Sequence, residues 1–254
     1  NTLVALLSAC GSGQAPLPES TIESKAALGQ ALFSDMRFSQ NRSQSCATCH
    51  NPEHGFVDNR LGPDNKIAVA SLGDDGISLG DRNAPSAAYA AFSPDFHSSS
   101  RARLNSSQAD YVGFLGGQFL DGRESDLQGQ AGGPPLAAGE MNLPDKKTLS
   151  DRVQESTEYI AAFTRLFGET VFADADVVFT AFTESIAAFE QTSALSPFSS
   201  KYDKSLLSPP EFEYNPLSKA AAGKALFFSQ QFTNCATCHQ LNPNSSLGET
   251  FTSY

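Results

Sequence analysis

Cys46-Ala47-Thr48-Cys49-His50 and Cys235-Ala236-Thr237-Cys238-His239 are the same pentapeptide, and together they use four of the chain's five cysteines. Cys-x-x-Cys-His is the attachment sequence of a c-type haem: two thiols add across the vinyl groups, and the adjacent histidine is then placed to ligate the iron from the proximal side. Two other chemistries fit less well. A zinc site built from Cys46, Cys49, Cys235 and Cys238 would usually pair its dithiols within about 15–20 residues, and zinc gives no reason for a histidine after each pair. A thioredoxin-like dithiol needs a βαβ setting, which neither copy has. The pentapeptides therefore predict two covalently bound haems, one on Cys46 and Cys49 with His50 as iron ligand, the other on Cys235 and Cys238 with His239.

Each copy closes a longer repeat. Ala27-Leu28-Gly29-Gln30-Ala31-Leu32-Phe33 precedes the first and Ala222-Gly223-Lys224-Ala225-Leu226-Phe227-Phe228 the second, each a short helical run followed by a polar loop, the second loop five residues shorter. Such self-similarity indicates two versions of one unit, and the natural unit is a small helical cytochrome c domain. Between the copies, Leu149, Val153, Ile160, Phe163 and Phe167 keep one face of a helix predicted from Thr148, as N-cap, to a stop at Gly168. A second helix is predicted from near Asp174, with Val178, Phe182, Ile186 and Phe189 at helical spacing and Asp174 and Asp176 at the positive end of its dipole. Strict alternation is scarce. The expected fold class is mainly α, with two cytochrome c-like haem domains and long irregular loops: an N-terminal domain over residues 21–170 and a truncated C-terminal domain over 171–254.

Composition narrows the partners. With 28 acidic and 17 basic residues the net charge is −11, which repels phosphate backbones and favours basic partners. Nucleic acid is not expected as a ligand. Residues 1–20 open with an apolar run too short to span a bilayer, and small residues before Cys10 suit a secretory cleavage site. The stretch resembles a bacterial lipoprotein signal remnant and linker with Cys10 lipidated; the alternative is a buried first strand carrying a stray cysteine. A start at Asn1 without a basic segment reads as a fragment. Covalent haem agrees with export, so the expected location is the periplasm, with a membrane anchor.

Residues 116–144, GGQFLDGRESDLQGQAGGPPLAAGEMNLP, do not look like scaffolding: they are glycine-rich and charged, with Gln130 and Glu140 ten residues apart. Long irregular loops of this kind often carry function. With LGQALFSDMRFS (28–39), SCATCHNPEHGFVD (45–58), RNAPS (82–86), FLDGRESDLQGQAGGP (119–134), GEM (139–141), IAAFEQT (186–192) and the second CATCH segment (222–239) in this order, the chain resembles the bacterial di-haem cytochrome c peroxidase and MauG superfamily over roughly residues 20–254. The resemblance implies that the N-terminal haem reacts with hydrogen peroxide and that Glu140 is the distal carboxylate, with Gln130 its companion. Peroxide cleavage needs a group that takes the proton from the inner oxygen and returns it to the departing one. It also implies that the C-terminal haem accepts electrons from a small cytochrome c or cupredoxin, that Asn83 helps to hold a calcium ion, and that the protein forms a homodimer, as members often do.

Three departures from the family pattern carry consequences. The tryptophan usual between the haems is replaced by Leu120, and the chain has no Trp, so direct tunnelling between haem edges is the expected electron route. The histidine that caps the resting peroxidatic iron in classical peroxidases has no counterpart in residues 62–81; His54 is expected on the proximal side and His97 as an exposed loop residue. The sixth ligand of the second haem, Met in classical peroxidases and Tyr in MauG-like members, would lie beyond Tyr254; Met36 and Met141 fall in the first half. Three functions stay in view: a peroxidase, a MauG-like enzyme that oxidises a partner protein, and a non-catalytic di-haem electron carrier.

Overall fold

The computed structural model describes residues 21–62, 64–101, 109–229, 231–233, 235–237, 239–245 and 248–252. Cys10, Cys238, Tyr254 and the expected signal remnant lie outside the described residues. The described chain is mainly helical: α1 Lys25–Phe33, α2 Cys46–Cys49, α3 Leu127–Leu136, α4 Lys146–Val153, α5 Thr157–Phe167, α6 Ala175–Glu190, α7 Lys201–Leu206 and α8 Lys219–Phe227. Two antiparallel hairpins interrupt it, β1 His97–Arg101 with β2 Tyr111–Leu115, and β3 Gln240–Ser245 with β4 Gly248–Thr252. Among the described residues no helix is long and apolar enough to cross a membrane.

The core forms where α1 crosses α6. Leu28, Leu32 and Phe33 of α1 meet Val178, Phe182, Ile186 and Phe189 of α6, joined by Phe38, Leu149, Val153 and Phe163. Gly29 makes the crossing possible, because a Cβ there would lie 1.8 Å from the Ser185 carbonyl oxygen. Edge-to-face pairs Phe33–Phe189 and Phe38–Phe182, with ring centroids 5.3 and 5.0 Å apart, each add about 0.5–1.5 kcal/mol beyond their buried area. This core runs from Ile22 to Leu195. The domain boundary expected between residues 170 and 171 therefore cuts through it: α6 completes the N-terminal unit because its apolar face is the surface on which α1 packs.

Two other expectations are corrected. The single helix from Thr148 to Phe167 is two helices. Asp145, not Thr148, caps the first by accepting from the Thr148 amide at 2.7 Å, and Ser156 caps the second by accepting from the Tyr159 amide at 3.3 Å. The Ser156 cap satisfies an amide that a continuous helix would have paired internally. Gly168, at φ +98°, stops α5 as expected. Residues 116–144 are not wholly irregular, since α3 occupies their middle: Asp126 caps it through the Gly129 amide at 2.8 Å, and its small residues let it lie against α6, where a Cβ on Gly132 would come within 3.2 Å of the Phe179 ring.

Candidate functional site

The first pentapeptide folds into the single turn α2, followed by His50, whose amide donates to the Cys46 carbonyl at 2.8 Å. A three-residue spacing puts Cys46 and Cys49 on one side of that turn. Burial pushes the Cys46 thiol up to about 12, helped by the charge of Glu190, and the Cys49 thiol up to about 11, with Arg60 opposing. Such a site disfavours thiolates, whereas a thioether is neutral and carries no such penalty. His50 is held neutral by burial. Its Nδ1 lies 3.2 Å from the Phe56 carbonyl oxygen; a carbonyl can only accept, so Nδ1 carries the proton and Nε2 presents its lone pair to a metal. The donor set thus fits a covalently attached haem ligated by His50.

The loop from Phe38 to Ser45 that leads into this turn is tied to its surroundings at several points. Arg152 donates to the carbonyls of Arg37, Ser39 and Gln40. Asp74 accepts from the Asn41 amide at 2.6 Å and from Ser43 Oγ at 2.6 Å. The Gln40 amide donates to the Met141 carbonyl at 2.8 Å, and the Asp74 amide to the Glu140 carbonyl at 2.8 Å. The haem-attachment loop and the turn after α3 are therefore one hydrogen-bonded body.

That turn carries Glu140. Burial raises its pKa above the ordinary carboxylate value; the Arg123 guanidinium opposes the shift and Asp81 adds to it. The Glu140 charge in turn bears on both Cys46 and Cys49, so the carboxylate sits close to the attachment turn, raised in pKa as an acid–base group needs. Gln130 lies on α3, half-buried. Phe119 adopts a left-handed backbone at φ 63°, with the Arg123 guanidinium 3.5 Å above its ring centroid, while Leu120, at the family's tryptophan position, is 65% exposed. His54 is exposed, as is His97 on β1, with its Nδ1 2.6 Å from the Asp95 carbonyl oxygen.

Asn83 accepts from Ser71 Oγ and donates to the Asp58 carbonyl, each at 3.4 Å. Among the described residues no group of three or more His, Cys, Asp or Glu side chains forms a metal cage. Glu190 is a residue the sequence reading missed, although it stands in the IAAFEQT segment. It is buried at the end of α6, and its Oε2 has no hydrogen-bond partner among the described residues. The sequence signal was a carboxylate following the apolar run Ile186-Ala187-Ala188-Phe189.

The second copy repeats the local geometry. The Phe33 and His50 rings are 6.3 Å apart at 36°, and the Phe227 and His239 rings 6.2 Å apart at 39°. The His239 amide donates to the Cys235 carbonyl at 2.9 Å. Beside His239 lies an apolar cavity of about 450 Å³, lined by Tyr202, Tyr214, Gly223, Phe227 and Phe228. Its setting differs from the first: α8 buries no residue, and His239 is exposed. Another cavity, of about 410 Å³, between the start of α3 and the outer side of α6, is lined by Asp95, Gln118, Asp126, Glu184 and Gln191 and holds none of these site residues.

Two cysteines one turn apart, a histidine whose free ring nitrogen can face a metal, and a second pentapeptide with the same ring geometry define a c-type haem protein. The chain belongs to the di-haem cytochrome c peroxidase family, whose model matches residues 23–208, and membership implies two c-type haems. It is 39% identical over 254 residues to the methylamine utilization protein MauG of Paracoccus denitrificans, covering 99% of this chain and 60% of that one. It is 30% identical over 227 residues to the cytochrome c peroxidase Ccp of Escherichia coli, covering 88% and 39%. The diheme peroxidase BthA of Burkholderia thailandensis superposes with a TM-score of 0.73 at 31% identity, covering 89% of this chain and 52% of that one. The chain thus spans between two fifths and three fifths of the length of these relatives.

Proposed function

We propose that this chain is the peroxide-reacting part of a di-haem peroxidase that reduces hydrogen peroxide to water with electrons from a small cytochrome c or cupredoxin. The observation that carries the reading is Glu140: a half-buried carboxylate, raised in pKa, whose charge reaches both attachment cysteines. When bound, the haem on Cys46 and Cys49 supplies the electrons that cleave the O–O bond. The chain's own residues supply the rest. His50 holds the proximal side through its Phe56 hydrogen bond. Glu140 takes the proton from the inner peroxide oxygen and returns it to the departing one, so that water leaves, and Gln130 orients the peroxide. The second haem, on Cys235, Cys238 and His239, is the electron entry. A calcium ion held through Asn83, export to the periplasm, a lipid anchor at Cys10 and a homodimer complete the proposal.

The identity to MauG proteins favours a second reading, in which the same site oxidises a partner protein. One experiment separates the readings on the complete, haem-loaded protein: peroxide-dependent oxidation of a reduced small cytochrome c, with Glu140→Gln in parallel. A peroxidase turns over rapidly and loses about 10²-fold or more in the variant. Slow turnover with peroxide still shifting the haem bands indicates the partner-protein oxidase. Peroxide reactivity indifferent to Glu140→Gln removes both.

A further inference from the structure

A chain of side chains runs from the sulfur of Cys49 to the backbone of Glu140. Arg60 forks onto Asp58, with Nε 2.9 Å from Oδ1 and Nη2 2.6 Å from Oδ2. The same Nη2 lies 3.1 Å from Cys49 Sγ and 2.8 Å from the Leu72 carbonyl, while Nη1 donates to Gln44 Oε1 at 3.1 Å. Gln44 is 1% exposed, and its Nε2 donates to the Glu140 carbonyl at 2.5 Å. The amide has one workable orientation. Arg60 can only donate and the Glu140 carbonyl can only accept, so flipping Gln44 would break both bonds.

We infer that Arg60 and Gln44 are positioning residues: Arg60 holds a fixed positive charge against the first haem's thioether and raises its reduction potential, and through Gln44 it orients the peptide that carries Glu140. The physical case has two halves. A guanidinium does not lose its proton at working pH, and a positive charge beside the cofactor favours the iron form with one more electron; hydrogen bonds and charge around ligating sulfurs tune potentials in this way. The second half is geometric: the Glu140 carbonyl accepts from Gln44 and from the Asp74 amide, so two donors anchored on the attachment loop set where its carboxylate starts.

The positioning half rests on the proposed peroxide role of Glu140; the potential half does not. The test uses the complete di-haem protein with Arg60→Gln, Arg60→Lys, Gln44→Met and Glu140→Gln. Two quantities are read: the midpoint potential of each haem by spectroelectrochemistry, and the single-turnover rate at which peroxide changes the haem spectrum. Arg60→Gln lowers the potential of the first haem alone. Arg60→Lys keeps the charge, and so most of the potential, but loses the fork and slows the peroxide step. Gln44→Met leaves the potential in place and slows the peroxide step by about 10-fold or more, the scale of a small misplacement. A residue of merely structural importance would not split charge from hydrogen bonding in this way. An unchanged first-haem potential in Arg60→Gln overturns the charge assignment, and an unchanged rate in Gln44→Met overturns the positioning assignment. A peroxide rate unaffected by Glu140→Gln refutes the proposed function and removes the positioning half with it, while the potentials still decide Arg60.

Discussion

Glu140 sits where burial opposes its charge, and Arg123 is the group that pulls the other way. A base must be ionised to take the peroxide proton, so the rate of the peroxide step rises with pH through the Glu140 pKa, above the ordinary carboxylate range. Arg123→Gln removes the lowering influence and moves that rising limb to higher pH; stopped-flow rates from about pH 4 to pH 9 read the shift, and an unmoved limb would detach Arg123 from the site. Glu190 offers a second test. Burial raises its pKa from 4.5 to about 8, so the folded chain keeps a proton that the unfolded chain loses between those values. This contribution to stability is complete below pH 4.5 and is lost as pH rises towards 8, by at most about 1.4 kcal/mol per pH unit. Glu190→Gln flattens the slope, seen as urea midpoints that change less between about pH 5 and pH 7.5. The attachment cysteines, both histidines, Glu140 and Gln130 were nameable as candidates from the sequence, through motif spacing and family resemblance. Arg60, Gln44 and Glu190 were not, because partners up to 96 residues apart define their roles, as Gln44 and Glu140 show.

At the scale of elements, the crossing of α1 and α6 controls the first site, since it sets Phe33 against His50 and brings the end of α6 to Cys46. Gly29→Ala forces a Cβ into the Ser185 carbonyl and should destabilise the protein by roughly 3 kcal/mol. Thermal or urea unfolding measures the loss, and an unchanged midpoint would contradict the packing described for α1. Periodicity located both helices that follow the distal segment, yet it read α4 and α5 as one. The face of Leu149, Val153, Phe163 and Phe167 continues across the break, while the local caps at Asp145 and Ser156 decide where the hydrogen bonding stops. Glycine and proline content hid α3 in the same way, because its stability comes from lying on α6 rather than from its own propensity.

For the molecule as a whole, the net charge of −11 bears on the electron donor. If a basic cytochrome c docks by long-range attraction, its kcat/KM falls as salt is raised beyond about 0.1 M, where screening acts over roughly 10 Å. A rate independent of salt would assign docking to contact rather than steering. The two attachment units share their local geometry, with Phe33 against His50 as Phe227 is against His239. The attachment motif, the helical class and the repeat can be read from the chain's residues alone, because a haem-binding pentapeptide and a helical period are local properties of neighbouring residues. Tertiary structure alone decided that α6 belongs with the first unit, that Glu190 is buried beside Cys46, and that Arg60 and Gln44 join the cysteine turn to Glu140. Those relations arise from burial and hydrogen bonding between segments far apart in the chain, which no local pattern encodes.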